Sequence, residues 1–492
     1  METRLAPTSR IPGLRANVLG FPELLAQSIA LISPTMTAVL IIPLAFSSAG
    51  EGTWLAYLFG TIMLLFVVFG LNQFARRSTA AGSMYAYIGR GLGATGGVVS
   101  GWTLIWSYLF IGIAGLNGFA IFSAQFLAAL GFTGTIPPFV FYLISGVACW
   151  LLAYKDVRLS SILALVLEGL SVLCILALGA VVLFGHGFSF DTAQITLKGV
   201  SFNGMGLAVV ACIFSMVGFE AATTMGSEAK NPLKTIPRAV IWSLILTGLF
   251  FVVMGYIEVY GTRTYSTPLS AIGAPLNVLS DLYNVSFFKI PLSLGAMVSF
   301  FSLSLSCLNS GARIIFPMAS HSVFPKQLSK VHRANKTPHV ALTVYIIVMF
   351  LVPFVLSLLT DPLTIFNDAG TLAAFGFLLA YFMISIAAPV YLAKLKELTP
   401  WSIVTAVLAV LFLLVPTVGS FYPMPAFPVN IFPYIFLTYM IIGGVWLFIA
   451  SRLRKGILTE IEEDMEKMLQ TSHAPVHVPE EVVLAPGEAL AD

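Results

Sequence analysis

Charged residues are scarce in this chain: they make up 10% of its 492 residues, whereas hydrophobic residues make up 58%. A water-soluble domain typically carries about 25% charged residues. The composition therefore excludes an ordinary soluble protein and predicts an integral membrane protein. The net charge of +3, from 25 Lys and Arg against 22 Asp and Glu, gives no indication of a nucleic-acid partner.

Cysteine and histidine are also few. The four cysteines lie in apolar segments without CxxC spacing, which argues against a disulfide framework or a cysteine-based redox site. The six histidines fall in predicted loops or in the C-terminal tail, with no metal-ligand spacing. A membrane enzyme would need catalytic groups clustered at one depth, so we predict no enzymatic activity, no metal site and no cofactor.

Long apolar segments are abundant. Twelve are long enough to cross about 30 Å of hydrocarbon. They lie near residues 24–49, 53–74, 95–128, 137–154, 160–185, 203–227, 239–260, 289–318, 338–359, 364–392, 401–420 and 429–452. The sequence thus predicts an all-α protein of twelve transmembrane helices, embedded in the lipid bilayer.

The basic residues predict its orientation. Twelve spans place both termini on one side of the membrane, and if that side is the cytoplasm, only Lys198, Arg263 and Lys289 of the 25 basic residues lie outside, leaving 22 inside. This bias obeys the positive-inside rule. We therefore expect a multi-pass protein of the cytoplasmic membrane with both termini in the cytoplasm.

Two spans contain residues that interrupt a helix. In the first, Ser33-Pro34-Thr35 has the composition of a helix start, since Ser is a preferred N-cap and Pro is favoured at the first helical position. In the sixth, Ser215 and Gly218 precede Glu220, an acid suited to the N-terminal end of a new half-helix. A simple proline kink is the alternative for the first interruption.

The two interruptions open successive groups of five spans that run with opposite topology. Broken helices at corresponding positions of two halves are typical of inverted-repeat secondary transporters, with the substrate between the halves. We expect a cytoplasmic tail over 1–22, a 5+5 inverted-repeat core over 23–392 (helices 1 to 10), two additional helices over 393–452, and a cytoplasmic tail over 453–492.

Three segments resemble the amino acid-polyamine-organocation (APC) permeases. AAGSMYAYIGRGLGATGGVVSGW (80–102) is similar to their third helix and the loop before it, and NSGARIIFPMASHSVFPKQLSKVH (309–332) matches more weakly, through Arg313 and Phe324-Pro325. FSMVGFEAATTMGSEAKNPLKTIPRAV (214–240) resembles their sixth helix and the following loop, through Glu228, Asn231, Pro232, Thr235, Ile236, Pro237 and Arg238. The resemblance implies proton- or sodium-coupled transport of an amino acid or amine by alternating access. One departure is ISPTMT in the first helix, where members usually carry a glycine-rich break.

The backbone at the two breaks is the predicted substrate site. N–H groups near Thr35 to Thr37 would bind a substrate carboxylate, and carbonyls of the first and sixth spans would bind an ammonium group. Phe214 and Phe219 would line or gate the site, although ordinary packing is the alternative for both. The predicted substrate-binding residues are Ile32, Ser33, Thr35, Met36, Thr37, Phe214, Ser215, Met216, Val217, Gly218 and Phe219.

Acidic residues within a membrane span are costly and therefore functional candidates. The resemblance places Glu168 on the fifth helix, near the point where some relatives hold a basic residue in lieu of a sodium ion, and we expect it to carry the coupled proton or to serve as a structural carboxylate. Glu220 would couple transport or hold the second half-helix to the first span. Ser302 and Ser306 are the sodium-site candidates, with hydrogen bonding to their own helix as the alternative.

Four charged residues at the cytoplasmic ends of spans are gate candidates: Arg76, Arg77, Glu228 and Arg238. Topology determination alone is the alternative for them. The leading functional prediction is a proton-coupled amino acid symporter. The alternatives are a polyamine or other amine carrier, an amino acid exchanger and a sodium-coupled variant, whereas a channel would need a continuous polar stripe that the spans do not show.

Overall fold

The computed structural model describes residues 17–78, 84–155, 157–422, 427–453 and 456–470. These residues are helical almost throughout and contain no β-strand, only an isolated bridge between Leu19 and Ala229. The outer parts of the two predicted tails, 1–16 and 471–492, lie outside the described residues. The predicted all-α fold is confirmed.

Eleven helical stretches of the described chain are long and apolar enough to span a membrane. The first of them, Phe21–Ala75, has 55 residues. A straight helix of that length would measure about 80 Å, more than twice the hydrocarbon thickness. The chain turns within it at the 3₁₀ segment Gly50–Gly52, so this stretch contains two crossings and the predicted total of twelve is confirmed.

The first crossing is divided into α1 (Phe21–Ile32), α2 (Pro34–Met36), a π-helical turn (Thr37–Ile41) and α3 (Ile42–Ala49). The sixth is divided into α9 (Phe202–Met216) and a 3₁₀ segment (Phe219–Met225). The other ten crossings are α4 (Thr53–Ala75), α5 (Met84–Ala129), α6 (Pro138–Lys155), α7 (Val157–Gly185), α10 (Pro232–Gly261), α12 (Lys289–Ser320), α13 (His339–Leu356), α14 (Pro362–Lys394), α15 (Pro400–Gly419) and α16 (Phe432–Leu453).

Three helices are not crossings: α8 (Thr192–Ile195), α11 (Pro275–Leu282) and α17 (Ile457–Gln470). The remaining 3₁₀ segments are Leu269–Ala271, Ser286–Phe288, Lys326–Ser329 and Val429–Ile431. They connect the crossings at the two faces of the bundle.

The helices form one buried core in which α5 packs extensively against α12 and α14. Helix α5 is divided at Gly93, whose φ of 81° lies in the left-handed region that favours glycine. The backbone N–H of Ala94, just after this division, donates to Glu462 Oε1 of α17 at 3.2 Å. Part of the predicted C-terminal tail is therefore a helix that packs on the base of α5.

Candidate substrate site between two broken helices

The break in the first crossing centres on Ser33, which adopts a left-handed conformation with φ 51° and ψ 74°. Pro34 follows and has no N–H, so the first N–H of the new helical segment belongs to Thr35. The Ser33 side chain does not cap this segment; its Oγ is hydrogen-bonded to Ser299 Oγ of α12 at 3.0 Å. The predicted interruption is present. The backbone N–H of Thr35, which the break leaves without a partner in its own helix, lies in the bundle interior.

A carboxylate of the protein itself accepts a hydrogen bond from the N–H of Thr35. Glu168 of α7 is fully buried, and its Oε1 accepts a hydrogen bond from Thr35 N at 3.0 Å. Its Oε2 accepts a hydrogen bond from the hydroxyl of Ser299, while Thr35 Oγ1 donates to Ser171 Oγ at 2.7 Å. Glu168 of α7 thus contacts both α12 and α2, the helical segment that follows the first break. Its contact on α2 is Thr35 N, one of the atoms that we expected to bind a substrate carboxylate.

The break in the sixth crossing centres on Val217 and Gly218. Val217 is extended, with φ −60° and ψ 145°, and Gly218 has a φ of 106°. A Cβ atom added at Gly218 would lie 2.0 Å from Leu31 Cδ2. The position requires glycine both for its backbone conformation and for the close approach of the first crossing.

Glu220 fixes this second break to two neighbouring helices. Its carboxylate is fully buried and accepts hydrogen bonds from Tyr108 Oη of α5 and Tyr381 Oη of α14, each at 2.8 Å. Tyr381 Oη also accepts from Gly218 N at 3.3 Å, and its ring stacks on Phe219 with centroids 5.0 Å apart. The hydrogen-bond partners of Glu220 therefore lie on α5 and α14, not on the first span as we expected.

The direct link between the two breaks is Ser28 of α1. Its Oγ donates to the carbonyl oxygen of Phe219 at 2.7 Å and accepts from Ala222 N at 3.0 Å. A single hydroxyl of the first crossing therefore hydrogen-bonds to two backbone groups of the 3₁₀ segment that follows the second break. Sequence reasoning missed Ser28, Tyr108, Tyr381 and Ser299.

The predicted substrate-binding residues converge on one buried region. All of them are buried except Phe214, which is half-buried. Phe214 lines an apolar cavity of about 220 Å³ between α3, α9, α14 and α15. A Cβ atom on Gly370 would lie 2.2 Å from Phe214 Cζ, so α14 holds this ring in place. The breaks are closed from solvent in this conformation.

The two sodium-site candidates differ in their contacts. Ser302 Oγ donates to the carbonyl oxygen of Val298, one turn earlier on its own helix, at 3.0 Å. Ser306 Oγ is buried with no hydrogen-bond partner in the described part of the chain, while the carbonyl oxygen of Ser306 accepts from Gln27 Nε2 at 3.0 Å. Ser302 shows the own-helix bonding that we considered as the alternative.

The face predicted to be cytoplasmic is closed by a buried ion pair. Arg313 Nε donates to Glu228 Oε2 at 2.7 Å, and Arg313 Nη2 donates to Glu228 Oε1 at 3.2 Å. The carbonyl oxygen of Glu228 accepts from Val18 N and Leu19 N, and Lys230 N donates to the carbonyl oxygen of Leu19. These bonds tie the chain just before α1 to the loop after the sixth crossing.

The other gate candidates lie apart from this pair. Arg76 and Arg238 are exposed, and Arg77 pairs with Glu397 at 2.8 Å on a partly exposed surface. Of the four candidates, only Glu228 takes part in the buried contact. Its partner Arg313 lies in segment 309–332, which resembles the permeases. That resemblance was the sequence signal that could have identified Arg313.

Breaking the buried pair should cost far more than breaking the exposed one. Arg313→Gln leaves Glu228 charged and unpaired in the interior, so we expect a loss of about 3–5 kcal/mol in stability. Arg77→Gln should cost no more than about 1 kcal/mol, because an exposed pair is screened by solvent. Thermal unfolding of both variants in detergent checks this, and equal melting temperatures would contradict a structural role for the Glu228–Arg313 pair.

The opposite face is closed by Arg263, one of the three basic residues predicted to lie outside. Arg263 Nη2 lies 2.7 Å from Glu51 Oε2 and 2.5 Å from Asp191 Oδ2. Burial alone would raise the pKa of Asp191, but hydrogen bonds from Gln194 and Arg263 outweigh it, and the pKa is lowered. Charged contacts therefore lie at both ends of the two broken crossings.

Comparisons with known proteins identify the family. The sequence model of a family described as amino acid permease matches residues 23–461. The branched-chain amino acid permease BcaP of Bacillus subtilis is 25% identical over 369 residues, which cover 71% of this chain and 76% of the relative. The gamma-aminobutyric acid permease of Escherichia coli is 26% identical over 313 residues, covering 60% and 64% of the two chains. The cationic amino acid transporter 4 of Mus musculus is 26% identical over 351 residues, covering 67% and 53%.

Proposed function

Because this chain belongs to the amino acid permease family, we propose that it moves an amino acid across the cytoplasmic membrane by alternating access, in symport with protons. Family membership makes it a multi-pass membrane transporter of amino acids and not an enzyme. Its relatives are named as permeases or transporters of branched-chain amino acids, gamma-aminobutyric acid and cationic amino acids. The substrates in these names share a carboxylate and an ammonium group, and these are the two groups for which the broken helices offer partners.

The observation that carries the proposal is the hydrogen bond between Thr35 N and Glu168 Oε1. A substrate carboxylate needs the same N–H, and two carboxylates in so small a buried space would repel each other strongly. Protonation makes Glu168 a weaker acceptor and removes the repulsion. Proton binding and substrate binding therefore favour each other, and this reciprocal coupling is what a symporter requires.

The ammonium group would bind at the end of α9. This helix ends at Met216, so its last carbonyl oxygens lack helical partners and carry the negative end of the helix dipole. Gly218 lets the backbone pass close to the first crossing there, which places the carbonyl end of α9 beside Leu31, just before the break at Ser33. The two ends of a zwitterion would thus be bound by backbone groups from different halves of the protein.

Alternating access requires the two closed faces to open in turn. The Glu228–Arg313 pair and the backbone bonds between Leu19 and Lys230 would separate when the cytoplasmic side opens. The cluster of Arg263 with Glu51 and Asp191 would separate when the outer side opens. The closed conformation described here would lie between these two states in the transport cycle.

An organic amine carrier is a second candidate, because Glu168 and Glu220 are both fully buried beside the breaks. In that case Glu168 would stay ionised and pair with the ammonium group of a substrate that lacks a carboxylate. Glu220, however, already accepts two tyrosine hydroxyls, which leaves Glu168 as the single acid for a substrate with several charges.

Uptake into proteoliposomes tests the proposal. A panel of labelled amino acids and amines is offered under a pH gradient alone and under a sodium gradient alone. We expect a pH gradient, acidic outside, to concentrate at least one zwitterionic amino acid, and a sodium gradient to concentrate none. Accumulation of amines only would favour the second candidate, and accumulation driven only by sodium would contradict proton coupling.

A further inference from the structure

A groove between α6 and α13 lies on the lipid-facing surface, away from the substrate site. It has a volume of about 240 Å³ and an almost wholly apolar surface. Leu143, Val147 and Ile347 on its walls are each about half exposed. The groove is also lined by Gly146 and Trp150 of α6 and by Thr343, Ile346 and Leu351 of α13. From Thr343 to Leu351 the groove runs about 12 Å along α13.

The few polar groups of the groove are already satisfied. Trp150 Nε1 donates to Thr343 Oγ1 at 2.9 Å, and Thr343 Oγ1 donates to the carbonyl oxygen of His339 at 2.8 Å. An occupant of the groove therefore gains apolar contact only, as an acyl chain would. The indole of Trp150 lies at the end nearer the membrane surface, a position that tryptophan favours in membrane proteins.

The end of the groove beside Trp150 and Thr343 opens toward a basic cluster. Lys155 lies five residues beyond Trp150 on α6, and His339 lies four residues before Thr343 on α13, so both are about 6–8 Å further along the helix axes. Lys330 and His332 interact electrostatically with His339, whose Nδ1 is buried and has no hydrogen-bond partner among the residues that the structure describes. The segment from 326 to 339 contains no acidic residue.

The connection before α13 is held against α6. Asn335 Nδ2 and Thr337 Oγ1 donate to the carbonyl oxygen of Tyr154 at 3.1 and 2.8 Å. Tyr154 immediately precedes Lys155, so these bonds keep the exposed cations of the connection beside Lys155. We refer to Lys155, Lys330, Arg333 and Lys336, all of them exposed, as the basic mouth of the groove.

We propose that this groove binds an anionic phospholipid of the surrounding leaflet, with an acyl chain along α6 and α13 and the phosphate at the basic mouth. Both parts of the occupant are specified: the apolar wall fits hydrocarbon, and the four exposed cations of the basic mouth fit a phosphate. Basic pockets between transmembrane helices on the cytoplasmic side are known to bind lipid head groups of this kind. A zwitterionic phospholipid also carries a phosphate, but the cation of its own head group offsets that charge, so it gains less from the basic mouth.

Native mass spectrometry of the full chain with added phosphatidylglycerol or phosphatidylcholine of identical acyl chains tests the proposal. We expect the wild type to retain phosphatidylglycerol preferentially. The triple variant Lys155→Gln, Lys330→Gln, Arg333→Gln should lose this preference by about fivefold for each removed charge. The matched control is Lys230→Gln, Lys234→Gln, Arg238→Gln, which removes three exposed cations from another connection and should keep the wild-type lipid preference.

The acyl-chain position is tested separately. A Cβ atom at Gly146 would lie 4.0 Å from its nearest neighbour, Ile346 Cδ1, so Gly146→Leu fills the groove without an internal clash. Gly444→Leu on α16 adds the same side chain in open space and serves as the control. We expect lipid retention to fall in the first variant only. Equal retention in both, an unchanged preference in the triple variant, or a lipid-free dimer joined through this groove would overturn the proposal.

Discussion

Glu168→Gln is expected to abolish accumulation driven by a pH gradient while exchange of internal for external substrate continues. Glutamine keeps the size of the side chain and a weaker acceptor for Thr35 N, but it cannot titrate. Exchange needs only the loaded carrier to reorient, whereas accumulation needs a group whose protonation differs between the two sides of the cycle. In proteoliposomes, the ratio of internal to external substrate should therefore fall to about unity under a pH gradient, as expected when coupling is lost.

A matched control separates this role from a general effect of removing a buried acid. Glu258 on α10 is also fully buried, and neither of its carboxylate oxygens has a hydrogen-bond partner among the described residues. Glu258→Gln should leave both exchange and accumulation measurable. If Glu168→Gln still concentrates substrate under a pH difference alone, or if exchange and accumulation fall together with stability, Glu168 does not carry the proton.

Gly218→Leu is expected to remove substrate binding altogether while the protein still inserts into the membrane. The new side chain would start 2.0 Å from Leu31 Cδ2, on a backbone with a φ of 106° that residues with a Cβ atom rarely adopt. To accept it, the sixth crossing has to move away from the first, and the two halves of the substrate site separate. Binding of labelled substrate to purified protein should fall to background.

The control for this variant lies on the same crossing. A Cβ atom at Gly206 of α9 would meet no atom within 4 Å, so Gly206→Leu adds the same side chain without displacing a neighbour. It should bind substrate as the wild type does. Size-exclusion profiles of both variants show whether they are folded, and near-normal affinity in a folded Gly218→Leu protein would remove the second break from the site.

The broken helices could be predicted because their cause is local. Ser33-Pro34 and Gly218 act through backbone conformation and a missing N–H, which depend on the residues themselves. The partners of the buried acids could not be predicted in this way. Glu220 meets Tyr108 and Tyr381, which are 112 and 161 residues away in the chain, and each tyrosine lies in a span where an aromatic residue needs no special explanation.

The placement of Glu168 illustrates the same limit. An acid in an apolar span marks a functional candidate, but the sequence does not say which backbone atom it reaches. That depends on how α7 packs against α12 and the first crossing, and the result is a carboxylate on the atom that we assigned to the substrate. The buried ion pair is similar: composition identifies cations at one end of the spans, whereas only packing shows that Arg313 is buried against Glu228.

The most direct test is an experimental structure with a transported amino acid bound at low pH. We expect a carboxylate oxygen of the substrate to lie at hydrogen-bond distance from Thr35 N, about 3 Å, with the side chain of Glu168 displaced from that atom. A structure in which Glu168 stays on Thr35 N and the substrate carboxylate is bound elsewhere would contradict it.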